Sequence, residues 1–119
     1  MFGSGIYFAD RVTKSFNYCQ TQSKDVGILI LCEVCVGKMF MTTEVRNSLE
    51  APPSGSSSVM GLGQIVPCPV SDTYNGVVIP SGKTTKVRDA SARKLLYNEY
   101  IVYDPRQVVI RFLVEAKIE

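Results

Sequence analysis

The chain has 119 residues, which limits it to one domain with a modest core. Its 45% hydrophobic content excludes wholesale disorder, and a net charge of +2 is too small to nominate nucleic acid or a membrane surface as its partner. No apolar run reaches the length of a membrane span: the longest, residues 26–36, is interrupted by Glu33.

The first residues, Met1-Phe2-Gly3-Ser4-Gly5, carry neither the basic region nor the apolar core of a signal peptide. Four cysteines without regular spacing in such a chain point to reduced thiols, as in the cytosol or nucleus. Gly3 and Gly5 followed by Ile6-Tyr7-Phe8-Ala9 suit a loop entering a brief strand. A lone Gly-x-Gly says little about phosphate, because glycines serve any tight turn. Asp10 is a fair N-cap for a helix over residues 11–19, with Val12, Phe16 and Cys19 at i, i+4 and i+7 as its buried stripe. Arg11, Ser15 and Tyr18 share an adjacent stripe, which either presents a hydroxyl beside an aromatic ring or is a solvated flank.

A polar loop over residues 21–25 leads into a strand over residues 26–36, apolar on both faces and so expected at the centre of its sheet. Cys32 and Cys35 lie three apart within it, and on a strand their sulfurs point to opposite faces. Without a histidine to complete a site, two buried thiols and no metal are expected. Gly37-Lys38 ends this strand, Met39-Phe40-Met41 resumes an extended piece, and residues 47–58 are loop by composition. Gln64-Ile65-Val66 and Val77-Val78-Ile79 are extended fragments separated by Pro67, Pro69 and the turn pair Asn75-Gly76. Residues 81–94 read as a basic loop (Lys83, Lys86, Arg88, Arg93, Lys94), solvated or phosphate-facing.

Leu96-Tyr97-Asn98-Glu99-Tyr100-Ile101-Val102-Tyr103 reads as one strand, closed by Asp104-Pro105. Alternation would place Tyr97, Glu99, Ile101 and Tyr103 on one face and Leu96, Asn98, Tyr100 and Val102 on the other. Glu99 is its anomaly, since a carboxylate on an aromatic strand face loses hydration. It is either an edge-strand glutamate paired with a neighbouring cation or a functional group in a cleft. Residues 108–118 alternate in turn, with Val108, Ile110, Phe112, Val114, Ala116 and Ile118 inward and Arg111, Glu115 and Lys117 outward. The short connection makes the two strands antiparallel neighbours. The sum is an α+β, mostly β chain with one short helix.

Five pieces in order go beyond such generic patterns. They are Met1-Phe2-Gly3-Ser4-Gly5-Ile6-Tyr7-Phe8-Ala9-Asp10; Lys14-Ser15-Phe16-Asn17-Tyr18-Cys19; Glu33-Val34-Cys35-Val36-Gly37; Pro52-Pro53-Ser54-Gly55 with Ser58-Val59-Met60-Gly61-Leu62-Gly63; and Leu96-Tyr97-Asn98-Glu99-Tyr100-Ile101-Val102-Tyr103-Asp104. Their order and spacing resemble the catalytic domain of the poly(ADP-ribose) polymerases across nearly the whole chain, and look closest to the DNA-damage-responsive members. The resemblance implies a split, curved antiparallel sheet that binds NAD+ as substrate, releases nicotinamide and transfers ADP-ribose to a protein or to a growing chain. It implies that Ser15 hydrogen-bonds the nicotinamide amide, with Tyr18 stacking on its ring, Tyr7 framing the other side and Gly5 contributing to the same subsite. Glu99 would be the catalytic glutamate, with Lys14 and Tyr7 beside it in the catalytic set, and Tyr97 and Met1 would lie on the acceptor side. No metal is implied, localisation would be nuclear with the cytosol as alternative, and DNA would be met only through domains outside this sequence.

One departure stands out. The family's site normally adds a histidine and a glycine upstream of Gly-Ile-Tyr-Phe, and this sequence contains no histidine. Residues 1–119 are therefore expected to be the C-terminal portion of a single ADP-ribosyltransferase catalytic domain that needs the upstream part as partner; a degenerate relative is the alternative. A non-catalytic module that holds NAD+, ADP-ribose or a protein is the competing function. Retention of Glu99 favours the enzyme and, because single-unit transferases of the family commonly lack it, favours polymer formation. A nucleic-acid binder through residues 83–94 is the weaker third reading, since no aromatic residues interleave with the basic ones.

Overall fold

Glycines and prolines cut this chain into pieces too short for one large sheet. The computed structural model describes residues 1–19, 25–68 and 72–117. In chain order its elements are β1 (Ile6–Phe8), α1 (Val12–Phe16), β2 (Val26–Val34), β3 (Met39–Thr42), β4 (Ser58–Gly61) and β5 (Gly63–Cys68). There follow β6 (Asp72–Tyr74), β7 (Val77–Ile79), β8 (Lys83–Lys86), a 3-10 turn at Ala90–Ala92, β9 (Leu95–Tyr97), β10 (Glu99–Val102), a second 3-10 turn at Pro105–Gln107, and β11 (Val108–Lys117). The α+β, mostly β expectation holds, with several small open sheets in place of one.

The sheet that matters most has the order β1-β10-β4-β3. β10 pairs antiparallel with β1 and β4, so Ile101 stands opposite Tyr7 on one side and Val59 on the other, while β3 joins β4 in parallel. The core lies here. Phe2, Val59 and Ile101 are fully buried, and Phe40, Leu49, Leu95 and Tyr103 pack around them. The other sheets are β8-β5-β9, the ribbon β11-β2 and the hairpin β6-β7. Asn75 and Gly76, at φ 49° and 78°, turn that hairpin with the left-handed pair its two-residue loop requires, as their sequence leads one to expect.

Several expectations fail, each for a local reason. The strand over residues 96–103 is two strands in two sheets. It divides at Asn98, whose Oδ1 accepts a hydrogen bond from the Gly63 amide (2.9 Å). The Gly63 backbone crosses so close to Tyr97 and Asn98 that a side chain there would collide with main chain. Tyr97 thus leaves the face it was expected to share with Glu99. The strand over residues 26–36 ends at Val34 and is not central, since among the described residues β2 pairs only with β11. Nor does β11 pair with β10, because the turn at Pro105–Gln107 diverts it to β2.

The inward row expected on β11 is largely exposed, and the register shifts between Ile110 and Phe112, where Arg111 pairs with Glu33. Cys35 is exposed and Cys32 half-buried, contrary to two buried thiols. The helix is five residues rather than nine, Arg11 rather than Asp10 is its N-cap residue, and Val12 is 67% exposed instead of buried. Residues 81–94 are not all loop, since they hold β8 and a 3-10 turn. The loop over residues 21–24, Pro69 and Ile118 lie outside the described residues.

Two measurements follow. Truncating Ile101→Ala should remove about 2–5 kcal/mol of unfolding free energy in a denaturant titration, as for other buried aliphatics, whereas Leu113→Ala, on the exposed ribbon at 71%, should stay within about 0.5 kcal/mol. Asp104 caps the Pro105–Gln107 turn, and its hydrogen bonds from Arg106 hold its carboxyl down to about 2. With the folded value below the unfolded one, this contribution is present above pH ~4 and lost as pH falls towards 2. Arg106→Ala removes the guanidinium but keeps the backbone amide's hydrogen bond, so the Asp104 titration, followed by carboxyl NMR, should move up towards the ordinary aspartate range.

Candidate active site

Glu99 opens β10 between two neighbours. β4 places Gly61 directly opposite, and β1 runs along the other edge. Its residue is only 8% exposed, so the carboxylate needs a partner. The chain provides one by turning from β1 into α1, which brings Lys14 Nζ to 2.9 Å from Glu99 Oε1. The same ammonium donates to the Tyr97 carbonyl at 3.3 Å, bridging the point where β9 gives way to β10. Glu99 Oε2 is buried and has no hydrogen-bond partner among the described residues. One oxygen of the carboxylate is thus fixed and the other is a free acceptor.

Around this pair lies a cleft of about 650 Å³ lined by Met1, Tyr7, Phe8, Ala9, Lys14, Ser15, Tyr18 and Glu99. That volume is ample for a small ligand or one end of a dinucleotide. Tyr7 is anchored, because its hydroxyl donates to the Gly3 carbonyl (2.7 Å) and accepts from the Phe2 amide (3.1 Å). Tyr18 follows the short helix and is 76% exposed, an aromatic face open to a ligand.

Of the residues singled out in the sequence, six line this one cleft: Met1, Tyr7, Lys14, Ser15, Tyr18 and Glu99. Gly5 and Tyr97 do not. Gly5 packs against Ile101 and Val102, where a side chain would collide with the Ile101 methyl. Tyr97 contributes its main-chain carbonyl, and its ring belongs to the β8-β5-β9 sheet. Residues that sequence reasoning did not place in the site also meet here. Phe8 and Ala9 complete the wall, and Asp10 binds Asn98 and Tyr100 behind Glu99. Spacing hinted at none of these, because they depend on β1 lying beside β10.

A second cavity of about 520 Å³ lies elsewhere, lined by Cys35, Glu50, Tyr103, Asp104 and Gln107 among others. It is lined by two carboxylates, Glu50 and Asp104, and the ion pair that Asp104 makes with Arg106 is exposed rather than buried. Among the described residues, no three Cys, Asp or Glu side chains cluster as metal ligands.

The Lys14–Glu99 pair is testable by itself. Removing one partner leaves a buried charge uncompensated, so Lys14→Met should cost about 3–5 kcal/mol of unfolding free energy. The double change Lys14→Met with Glu99→Leu should recover most of that loss in the same denaturant titration.

The family model described as "Poly(ADP-ribose) polymerase catalytic domain" matches residues 1–118. The chain is 45% identical over 123 residues to a Gallus gallus protein named poly [ADP-ribose] polymerase 1, covering 98% of this chain and 12% of that one. It is 46% identical to the protein of the same name from Danio rerio, again over 98% of this chain and 12% of the other. Against Homo sapiens poly [ADP-ribose] polymerase 2 the identity is 40%, over 98% of this chain and 21% of the relative. The chain therefore spans between about an eighth and a fifth of the length of these relatives. A buried glutamate held by a lysine on a cleft walled by tyrosines accordingly sits within a chain that belongs to the poly(ADP-ribose) polymerase catalytic domain family.

Proposed function

We propose that this chain forms the glutamate-bearing part of an NAD+-dependent protein ADP-ribosyltransferase that builds poly(ADP-ribose). The observation that carries the reading is Glu99, a buried carboxylate on a cleft, with one oxygen held by Lys14 and the other free. NAD+ presents a flat cationic nicotinamide ring, which an exposed tyrosine face attracts by stacking and cation–π contact. Tyr18 takes that role, Tyr7 frames the opposite side, and the Ser15 hydroxyl bonds the carboxamide. Met1 and Tyr97 lie towards the acceptor, and Gly5 supports the wall by letting β1 approach β10 closely.

The reaction breaks the bond between nicotinamide nitrogen and ribose carbon. The bonding pair leaves with nicotinamide, and positive charge develops on the sugar as in glycoside hydrolysis. A fixed carboxylate stabilises that charge more in the transition state than in the ground state. Glu99 Oε2 accepts a hydrogen bond from a ribose or acceptor hydroxyl, and the acceptor oxygen bonds to the ribose carbon that nicotinamide leaves as its proton passes to the Glu99 carboxylate. Lys14 holds Oε1 so that Oε2 keeps its aim.

The wider expectations belong to the same reading. NAD+ and protein acceptors are the substrates, no metal is required, and the protein works in the nucleus in response to DNA damage. The missing histidine comes from a segment upstream of Met1. The names of the relatives, poly [ADP-ribose] polymerases, support polymer formation.

The test is incorporation of labelled ADP-ribose from NAD+, by this chain and by the chain preceded by the upstream catalytic segment of the Gallus gallus relative. The extended form should be active and the short form silent. Glu99→Gln in the extended form should cut incorporation by about 10²–10³-fold, as loss of one charge-stabilising group does. An extended form that binds NAD+ without transferring ADP-ribose would instead establish a binding module.

A further inference from the structure

We propose that Asp10 is a positioning residue for Glu99, acting through the two residues that flank it in the chain. Asp10 Oδ2 accepts a hydrogen bond from Asn98 Nδ2 at 3.0 Å and another from the Tyr100 hydroxyl at 2.8 Å. Neighbouring side chains of an extended segment alternate, so residues 98 and 100 point away from the direction of Glu99. One carboxylate therefore grips the back of the segment while Glu99 is presented at its front. Asn98 carries the clamp further, since its Oδ1 accepts from the Gly63 amide and ties β5 to the same point.

The position needs holding. Asn98 is where the chain leaves the β8-β5-β9 sheet for β1-β10-β4-β3, so no continuous ladder fixes the backbone on both sides of Glu99. A displacement of a catalytic group by about 1 Å can cost about 10²-fold in rate. A charged acceptor makes stronger hydrogen bonds than a neutral one, which suits a clamp. It is also a costly choice for fold alone, because Asp10 Oδ1 is buried without a hydrogen-bond partner among the described residues. Burial, with the charge of Asp10 and its hydrogen bond, pushes the Tyr100 phenol up, so Tyr100 remains a donor at any working pH.

This inference rests on the reading of Glu99 as the catalytic carboxylate, and its test separates the two. In the intact protein, Asp10→Asn keeps shape but removes charge, and kcat for ADP-ribose transfer should fall about 10–100-fold with KM for NAD+ changed less than about 3-fold. In a Glu99→Gln background the same substitution should change the residual rate less than about 2-fold, because Asp10 acts only through Glu99. Equal losses in both backgrounds, or an unchanged kcat, would overturn the proposal. If Asp10→Asn does not fold, Tyr100→Phe removes one of the two bonds and is read in the same way. If the intact protein transfers no ADP-ribose, the catalytic reading fails by itself, and the clamp is judged by the ion pair. The coupling between Lys14→Met and Glu99→Gln in denaturant unfolding should then drop by more than half once Tyr100→Phe or Asp10→Asn is introduced; an undiminished coupling would overturn it.

Discussion

Taking Glu99 out of water at the head of β10 obliges the chain to bring a cation to it, and Lys14 answers at 2.9 Å. That one contact dictates much of the surrounding structure. β1 must run beside β10 so that the chain emerges near Glu99, and α1 must follow at once so that Lys14 can reach back. Ser15 is carried with Lys14 on the same turn, and Tyr18 follows just beyond it. The hydroxyl and the aromatic ring reach the cleft because the ion pair fixes the element that bears them.

The shortness of the elements has a related consequence. A helix of five residues has little stability of its own, and here it contributes no fully buried side chain. It is held by polar contacts: Lys14 to Glu99 and to the Tyr97 carbonyl, and Arg11 to the Gly82 carbonyl at 3.3 Å. The hydrophobic core lies to one side, at Phe2, Val59 and Ile101, beneath the strands that present the site. Stability and chemistry thus meet on β10, where Ile101 anchors the strand and Glu99 faces the cleft.

Motif order made the family and six of the cleft residues legible, because those residues lie in short segments whose identities are distinctive by themselves. Alternation also flagged Glu99 as out of place before any partner was known. What periodicity misread was set by contacts distant in sequence. Leu96 to Tyr103 looks continuous, yet Gly63 and Asn98, 35 positions apart, divide it between two sheets. Asp10 has the chemistry of an N-cap, but Asn98 and Tyr100 compete for its carboxylate and win. Val26 to Val34 has the composition of a central strand and pairs, among the described residues, with β11 alone. Apolar composition reports that a surface is suited to burial, and does not say which element covers it.

The central claim is that the cleft beside Lys14 and Glu99 receives the nicotinamide end of NAD+. A crystal structure of the protein with benzamide, a neutral mimic of nicotinamide, tests it most directly. The account predicts the ring stacked on Tyr18 at roughly 3.5–4 Å and the carboxamide within hydrogen-bond distance of the Ser15 hydroxyl. Benzamide bound instead in the cavity beside Cys35 and Asp104, with the Tyr18 face left free, would contradict it.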